Sequence, residues 1–150
     1  MVGTLDPQEM RELLADHSFA HLGCEHDGHL YIVPISYVFD EDRIYGQTKA
    51  GRKIDMLRQN PRACVQVEEI ANIANWKSVI LWGQFQELKG PERVQAMTKL
   101  IDHLSPQIEE LQGSRSPRDV TPGRADDQTQ IDIVYQIKID EMTGRFEREP

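Results

Sequence analysis

The sequence has few cysteines and no long apolar run. Cys24 and Cys64 are its only cysteines among 150 residues, which is too few for a disulfide framework. No stretch approaches the roughly 18 apolar residues of a membrane-spanning helix, so no membrane partner is predicted. The first ten residues lack the basic and apolar regions of a secretory signal. We therefore expect a cytoplasmic protein with reduced thiols.

Positive charge and recognisable catalytic motifs are also scarce. Seventeen Lys and Arg against 25 Asp and Glu give a formal net charge of −8. Nucleic-acid-binding proteins usually present a basic face, so no nucleic-acid partner is expected. The chain has no H-E-x-x-H, no cysteine pair at zinc-finger spacing and no G-x-S-x-G. The sequence thus predicts no metal site, and it identifies no catalytic residue.

Short apolar segments separated by turns dominate what is present. Six of them have strand character: Phe19–Cys24, Leu30–Phe39, Arg43–Thr48, Arg62–Ile70, Trp76–Leu88 and Ile131–Ile139. Helices are predicted from Pro7 to about Asp16, around Ile54 and Leu57, and from Pro91 to about Leu111. This order favours one mainly β (α+β) domain over residues 1–150, a six-stranded antiparallel barrel with flanking helices.

Several residues predict local geometry. Asp6 begins a capping-box pattern, and Asp27-Gly28 predicts a hairpin turn. Pro34 indicates a strand edge or a bulge, Gly83 indicates a bulge or a tight bend, and Pro106 should kink or interrupt the third helix.

Two segments and one strand need a further explanation. Residues of about 113–130 are polar, and we expect a mobile surface loop there; about 147–150 should be a frayed tail. The strand Leu30–Phe39 is apolar on both faces, so both faces require a cover. A second subunit or a ligand can supply the second one.

The strongest candidate site is the basic turn Gly51-Arg52-Lys53 at the start of the second helix. A helix N-terminus offers unpaired N–H groups that suit a phosphate, and an arginine can grip two phosphate oxygens. Gln47 and Thr48 can donate further hydrogen bonds. The alternative is a solvated basic start to a surface helix.

Two other segments can line a ligand. Val33, Pro34, Ile35 and Ser36 form an apolar strand with one hydroxyl, which suits either a flat ring or a core and dimer interface. Trp76, Ser78 and Val79 open the fifth predicted strand, where an indole can stack on a ligand or simply pack.

Taken together, these segments resemble the FMN-binding split-barrel proteins related to pyridoxamine 5′-phosphate oxidase, in particular the nitroimidazole-resistance-type branch. The resemblance rests on a series of motifs in this order: the D-G hairpin before Tyr31-Ile32-Val33-Pro34-Ile35-Ser36-Tyr37, then Arg43-Ile44-Tyr45, Gly51-Arg52-Lys53, Leu57-Arg58, Asn60-Pro61-Arg62, Cys64-Val65 and Trp76-Lys77-Ser78-Val79 leading to Gly83.

The resemblance implies a homodimer with two FMN sites at the subunit interface. It implies that the FMN phosphate is held by Gln47, Thr48, Gly51, Arg52 and Lys53. The isoalloxazine ring would lie along Val33, Pro34, Ile35 and Ser36, and Trp76, Ser78 and Val79 would approach it. The implied function is that of an FMN-dependent oxidoreductase acting on an unidentified small molecule, with an unidentified electron donor.

Two departures from the family leave alternatives open. No Trp lies near the C-terminal Arg145-Phe146-Glu147-Arg148, unlike in the pyridoxamine phosphate oxidases, and Gln47 stands where many resistance-type relatives have His. Because no catalytic acid or base stands out, a non-catalytic flavin-binding or sensor module is an alternative. A haem-binding split-barrel protein, with His21, His26, His29 or His103 as axial ligand, is another, and a cofactor-free structural dimer is the simplest.

Overall fold

The computed structural model describes residues 1–112 and 132–150. The helices in these ranges are α1 (Pro7–Asp16), α2 (Arg52–Gln59) and α3 (Gly90–Gln112). The strands are β1 (Val2–Thr4), β2 (Phe19–His26), β3 (His29–Ser36), β4 (Val38–Asp40), β5 (Arg43–Lys49), β6 (Arg62–Asn72), β7 (Asn75–Glu87) and β8 (Asp132–Glu147). The predicted fold class is confirmed, whereas the loop predicted at 113–130 lies outside the described residues.

The strands form one antiparallel sheet in the order β3-β2-β6-β7-β8-β5-β4, with β1 beside β8. The 16-residue β8 organises the sheet. One of its edges pairs with β7, and the other pairs first with β5 and then with β1. The hydrogen-bonded path is open, and its two edge strands, β3 and β4, are separated in sequence only by Tyr37. The sheet therefore curls back toward itself as a split barrel.

The predicted single strand Leu30–Phe39 is wrong, because the chain turns a corner at Tyr37. The Tyr37 side chain is fully buried, and its hydroxyl donates to the Leu14 carbonyl at 2.6 Å. Its amide donates to the Ser18 carbonyl at 2.9 Å. The apolar pattern continues through the corner, so the pattern alone could not show that the strand divides.

The described part of the chain has eight strands rather than the six predicted. The division at Tyr37 adds one strand, and the short β1, which pairs with the end of β8, adds the other. The tail at about 147–150, for which we expect fraying, makes two backbone hydrogen bonds. The Arg148 amide donates to the Met1 carbonyl at 2.9 Å, and the Glu149 amide donates to Asn75 Oδ1 at 3.2 Å.

The local signals in the sequence are largely confirmed. Asp6 and Glu9 form a reciprocal capping box at the start of α1. Asp27 and Gly28 both have positive φ in the β2–β3 turn, as a type I′ hairpin requires. A register shift lies between Trp82 and Gly83, at the predicted bulge.

The third helix does not stop at Pro106, so the expectation that it might be interrupted there is wrong. Pro106 has no amide to donate to the Asp102 carbonyl, but the Ser105 hydroxyl donates to that carbonyl at 3.1 Å instead. Leu100 and Leu104 are buried on the other side of the helix, against Val38. Tertiary packing and a side-chain hydrogen bond therefore carry the helix through the proline.

The main core lies inside the curled sheet. Alternate residues of the central strands point into it, and α1 and α2 also contribute. Its fully buried members include Leu14, Leu22, Ile44, Ile54, Leu57, Val65, Val79, Leu81 and Ile137. The opposite, outer face of the sheet exposes several large apolar side chains, so the sheet remains uncovered there in the single chain.

Candidate functional site

The basic turn lies where β5 ends and α2 begins. Gly51 occupies the N-cap position of α2, and no side chain caps the helix there. The amides of the first helical turn therefore have no side-chain acceptor, which leaves them available to an anion. Gly51 has open space where a side chain would stand, so a ligand can approach its backbone closely.

Arg52 and Lys53 differ in exposure. The exposed Arg52 guanidinium lies 5.3 Å from the centroid of the Tyr31 ring, which connects the turn to β3. Lys53 is half-buried, and burial lowers its pKa, an effect that the neighbouring Cys24 partly offsets. Burial likewise raises the pKa of the Cys24 thiol, while Lys53 lowers it. Two cations of different environment thus lie at the start of α2.

Thr48 and Gln47 are half-buried at the end of β5. The Thr48 hydroxyl donates to the Lys49 carbonyl at 3.2 Å. Both residues precede the basic turn by only a few positions, at the end of β5. Gln47 pairs with Val134 of β8, so the end of β5 is anchored in the sheet.

The predicted ring-binding strand, β3, is an edge of the sheet. The Tyr37 amide bonds to Ser18 of the β2 side, and backbone groups alternate along an antiparallel pair. The backbones of Ser36 and Pro34 therefore point away from β2, toward the open edge. Pro34 has no amide hydrogen and needs none there, which confirms the predicted strand edge. The open edge offers the Ser36 amide and the carbonyls of both residues to a ligand.

The side chains of the same strand divide between two faces. Ile35 is buried, and Val33 packs against the main core. Pro34 is exposed and Ser36 half-buried on the outer face. A ligand at the edge can thus use backbone groups, but it cannot contact all four predicted side chains from one side.

The start of β7 forms a second cluster. Trp76 Nε1 donates to Glu147 Oε2 at 3.0 Å, and Gln66 Nε2 donates to Ser78 Oγ at 3.0 Å. Gln66, Trp76, Ser78 and Arg145 line a cavity of about 390 Å³. Val79 is fully buried in the core, so only its backbone remains for a ligand.

The two clusters lie at opposite ends of the strands within one chain. Tyr31 pairs with Cys24, and Cys24 with Ala63, whereas Ser78 pairs with Glu68. Ala63 and Glu68 are five residues apart on β6, or about 16 Å. Three strand spacings, about 14 Å in total, separate β3 from β7. The fold therefore places Tyr31, near the start of β3, beside the basic turn, whereas Trp76 and Ser78 of the same chain lie at the other end of the strands.

Sequence reasoning missed three residues near these clusters. The Tyr31 ring contacts the Arg52 guanidinium, and Gln66 donates a hydrogen bond to Ser78. Arg145 lines the cavity beside Trp76. Strand alternation places Gln66 on the same face of β6 as Glu68, so the sequence could have predicted which face Gln66 occupies. The pairing of β7 with β8 that brings Arg145 opposite Ser78 is a long-range contact with no local signal.

The histidines do not form a common centre. His103 Nε2 lies 3.2 Å from Ser18 Oγ and 3.0 Å from the His17 carbonyl. His21 is exposed on β2, and His26 and His29 flank the hairpin turn. Across residues 1–112 and 132–150, no cluster of three or more His, Cys, Asp or Glu is placed to hold a metal ion. None of the described helices is both long and apolar enough to cross a membrane.

The curled sheet with flanking helices defines a protein of the split-barrel class. The family model described as pyridoxamine 5′-phosphate oxidase matches residues 6–146, and the chain belongs to that family. An uncharacterised protein of Rhizobium meliloti (strain 1021) is 33% identical over 150 residues, covering 96% of this chain and 94% of the relative.

Two solved structures show the same fold. A FAD-binding protein from Mesorhizobium loti has a TM-score of 0.78 at 27% identity, covering 99% of this chain and 98% of that one. A candidate 5-nitroimidazole antibiotic resistance protein from Bacteroides thetaiotaomicron has a TM-score of 0.72 at 19% identity, covering 97% and 87%. The second likeness concerns the fold alone.

Proposed function

We propose that this protein is a cytoplasmic, homodimeric flavoprotein that binds the FMN unit and acts as an oxidoreductase on a small molecule. The observation that carries the proposal is the uncapped start of α2, with Arg52 and Lys53, beside the open edge of β3. This arrangement suits a phosphate next to a flat, hydrogen-bonding ring. The Mesorhizobium loti relative is described as FAD-binding, which supports a flavin.

The residues fit the cofactor at both of its ends. The phosphate would meet the first-turn amides of α2 and the side chains of Arg52 and Lys53. The ring edge would meet the backbone of Pro34 and Ser36 on the open side of β3. When bound, FMN supplies the redox chemistry itself, so the chain's part is to bind it, to orient it and to exclude water from one face.

The separation of the two clusters supports the homodimer. By strand rise and spacing, Ser78 lies about 20 Å from Tyr31, which contacts Arg52, and Trp76 lies farther away, so a second copy can supply them more readily. Phe19 and Ile70, 63% and 65% exposed, lie at the same end of the outer face as Ser78. Neighbouring exposed apolar side chains favour a protein contact when they form a continuous patch.

Retention of flavin tests the proposal. The purified chain is incubated with FMN, excess flavin is removed, and the visible spectrum is recorded. We expect retained flavin bands in the wild type and at least about tenfold weaker binding in Arg52→Ala, since a charge-assisted hydrogen bond to phosphate is lost. Arg58→Ala is the matched control, because Arg58 is in the last turn of the same helix and pairs with Glu87 at 2.6 Å.

Unchanged FMN affinity in Arg52→Ala would refute the phosphate site. Separately, steady-state turnover with a nicotinamide donor distinguishes an oxidoreductase from a flavin-binding or sensor module.

The cytoplasmic location is supported by two free cysteines, Cys24 and Cys64, which suit a reducing compartment.

A further inference from the structure

Tyr31 and Cys24 lie directly opposite each other on β3 and β2, and each is close to one cation of the basic turn. The Arg52 guanidinium carbon lies 5.3 Å from the centroid of the Tyr31 ring. Cys24 is near enough to Lys53 for the thiol to offset part of the lowering of the lysine pKa by burial. One cross-strand pair of the β2–β3 hairpin therefore lies beside both cations of the proposed phosphate site.

The Arg52 side chain has no polar partner in the described part of the chain. It is exposed, and within residues 1–112 and 132–150 its guanidinium makes no hydrogen bond and no ion pair. Fixing such a long side chain on binding costs conformational entropy. An aromatic face attracts a cation within about 6 Å of its centroid, so the Tyr31 ring restricts Arg52 while leaving its N–H donors available to two phosphate oxygens.

The Tyr31 ring is itself well supported. It is half-buried and packs against the main core. The strand that carries it, β3, pairs with β2 over its whole length. The Tyr31 hydroxyl makes no hydrogen bond within the described ranges, so the aromatic ring is the part of this side chain that acts on Arg52.

The other end of α2 is attached to the same hairpin. Asn60, the residue after α2, donates through Nδ2 to the Glu25 carbonyl at 2.9 Å and to Glu25 Oε2 at 3.1 Å. Glu25 Oε1 in turn accepts from the Gly28 amide at 2.9 Å. Because the hairpin contacts α2 at both ends, the Tyr31 ring has a defined position relative to the start of the helix.

We propose that Tyr31 is a positioning residue for the flavin phosphate: its ring keeps the Arg52 guanidinium at the start of α2, where the guanidinium donates to the phosphate oxygens. The inference rests on the function proposed above. Tyr31 acts through Arg52 and not on the flavin, so its contribution appears only with a ligand that carries a phosphate and only when Arg52 is present.

Dissociation constants for FMN and for riboflavin, which has the same ring system without the phosphate, test this. They are measured by quenching of flavin fluorescence on the full chain after removal of any bound flavin. Loss of a cation–π contact predicts that Tyr31→Leu binds FMN about two- to fivefold more weakly and riboflavin as tightly as the wild type does. Tyr31→Met, a second non-aromatic variant that fills the same space flexibly, should give the same result.

Tyr31→Phe is the matched control, because it keeps the ring and removes only a hydroxyl without a partner in the described ranges. It should bind both flavins with wild-type affinity. Equal losses of FMN affinity in Tyr31→Phe and Tyr31→Leu would overturn the inference, as would parallel losses of FMN and riboflavin in Tyr31→Leu and Tyr31→Met.

Combination with Arg52→Ala shows whether Tyr31 acts through Arg52. In that background, Tyr31→Leu should cause no further loss of FMN affinity, and a full additional loss would overturn the inference. A wild type that prefers FMN to riboflavin but is insensitive to Tyr31→Leu would overturn the inference alone. Equal wild-type affinity for FMN and riboflavin would refute the proposed phosphate site itself, and the inference with it.

Discussion

At the scale of single residues, the two cations of the basic turn have different roles. The Arg52 side chain is exposed. Lys53 is half-buried, and desolvation lowers its pKa below the ordinary 10.5 of lysine, with Cys24 acting in the opposite direction. The charge that Lys53 offers to a phosphate is therefore lost at a lower pH than that of a free lysine.

This difference predicts how FMN affinity depends on pH. As pH rises through the lowered pKa of Lys53, the ammonium loses its proton and the attraction to the phosphate falls. FMN dissociation constants measured from about pH 7 to 10 should rise in the wild type. In Lys53→Arg they should stay flatter, because arginine keeps its charge in this range. Identical profiles in the two proteins would contradict a role for Lys53.

Another residue-scale prediction concerns the corner at Tyr37. Its hydroxyl donates to the Leu14 carbonyl at 2.6 Å in a buried setting. Tyr37→Phe leaves that carbonyl without this donor, so the free energy of unfolding should fall by about 1–3 kcal/mol. Urea denaturation measures it.

Tyr45→Phe is the matched control, because the Tyr45 hydroxyl makes no hydrogen bond within residues 1–112 and 132–150. Its unfolding free energy should change by less than about 0.5 kcal/mol. Equal losses in Tyr37→Phe and Tyr45→Phe would show that the Tyr37 hydrogen bond does not hold the corner.

At the scale of elements, α1 depends on its capping box. The Glu9 amide donates to Asp6 Oδ1 at 2.8 Å, and the Asp6 amide donates to Glu9 Oε1 at 3.4 Å. Asp6→Ala should lower the free energy of unfolding by about 1 kcal/mol. Thermal or urea unfolding checks this against Gln8→Ala in the same first turn. Equal decreases in the free energy of unfolding for Asp6→Ala and Gln8→Ala would contradict a specific stabilising role of the cap.

The α3 helix shows why element boundaries were harder to predict than element types. Pro106 is a strong local signal for a break. The Ser105 hydroxyl replaces the missing donor at Asp102, and buried Leu100 and Leu104 hold the helix against the sheet. The tendency of proline to end a helix is therefore outweighed by packing against Val38, which is more than 50 positions away in the sequence.

At the scale of the whole molecule, the two clusters of candidate residues are separated by the sheet. One chain places the basic turn at one end of the strands and Ser78 at the other. In a two-fold dimer, the Ser78 end of each copy can cover the basic turn of its partner. Each complete site would then contain residues of both chains.

A mixing experiment tests this arrangement. One variant carries Arg52→Ala and Lys53→Ala, and the other carries Trp76→Ala and Ser78→Ala. Each should bind FMN poorly alone. After subunit exchange, each mixed dimer has one intact site, so about one site in four should recover, from random reassortment of a two-fold dimer. Bound flavin after gel filtration measures the recovery.

The control for that experiment is a mixture of two differently tagged copies of the Arg52→Ala, Lys53→Ala variant, which should exchange subunits without recovering flavin. Exchange without recovery in the test mixture would show that both clusters act within one chain, or that the second cluster does not contact the flavin.

The sequence by itself determined the features that depend on near neighbours. The sequence was sufficient to predict three local features: the capping box at Asp6, the Asp27-Gly28 turn and the basic start of α2. Each of them depends on residues only a few positions apart. The continuous apolar run Leu30–Phe39 also predicted strand structure, although the chain divides there into β3 and β4. The split-barrel fold followed from the order of these segments and their resemblance to a known family.

Only the tertiary structure decided the rest, because the remaining features depend on strand register and on contacts distant in the chain. The corner at Tyr37 depends on Leu14 and Ser18, and the pairing of β7 with β8 brings Arg145 beside Ser78. The cavity that Ile32, Gly23, Cys64 and Trp82 line on the outer face depends on the pairing of β3, β2, β6 and β7. No local pattern encodes that alignment; it arises when the whole sheet forms.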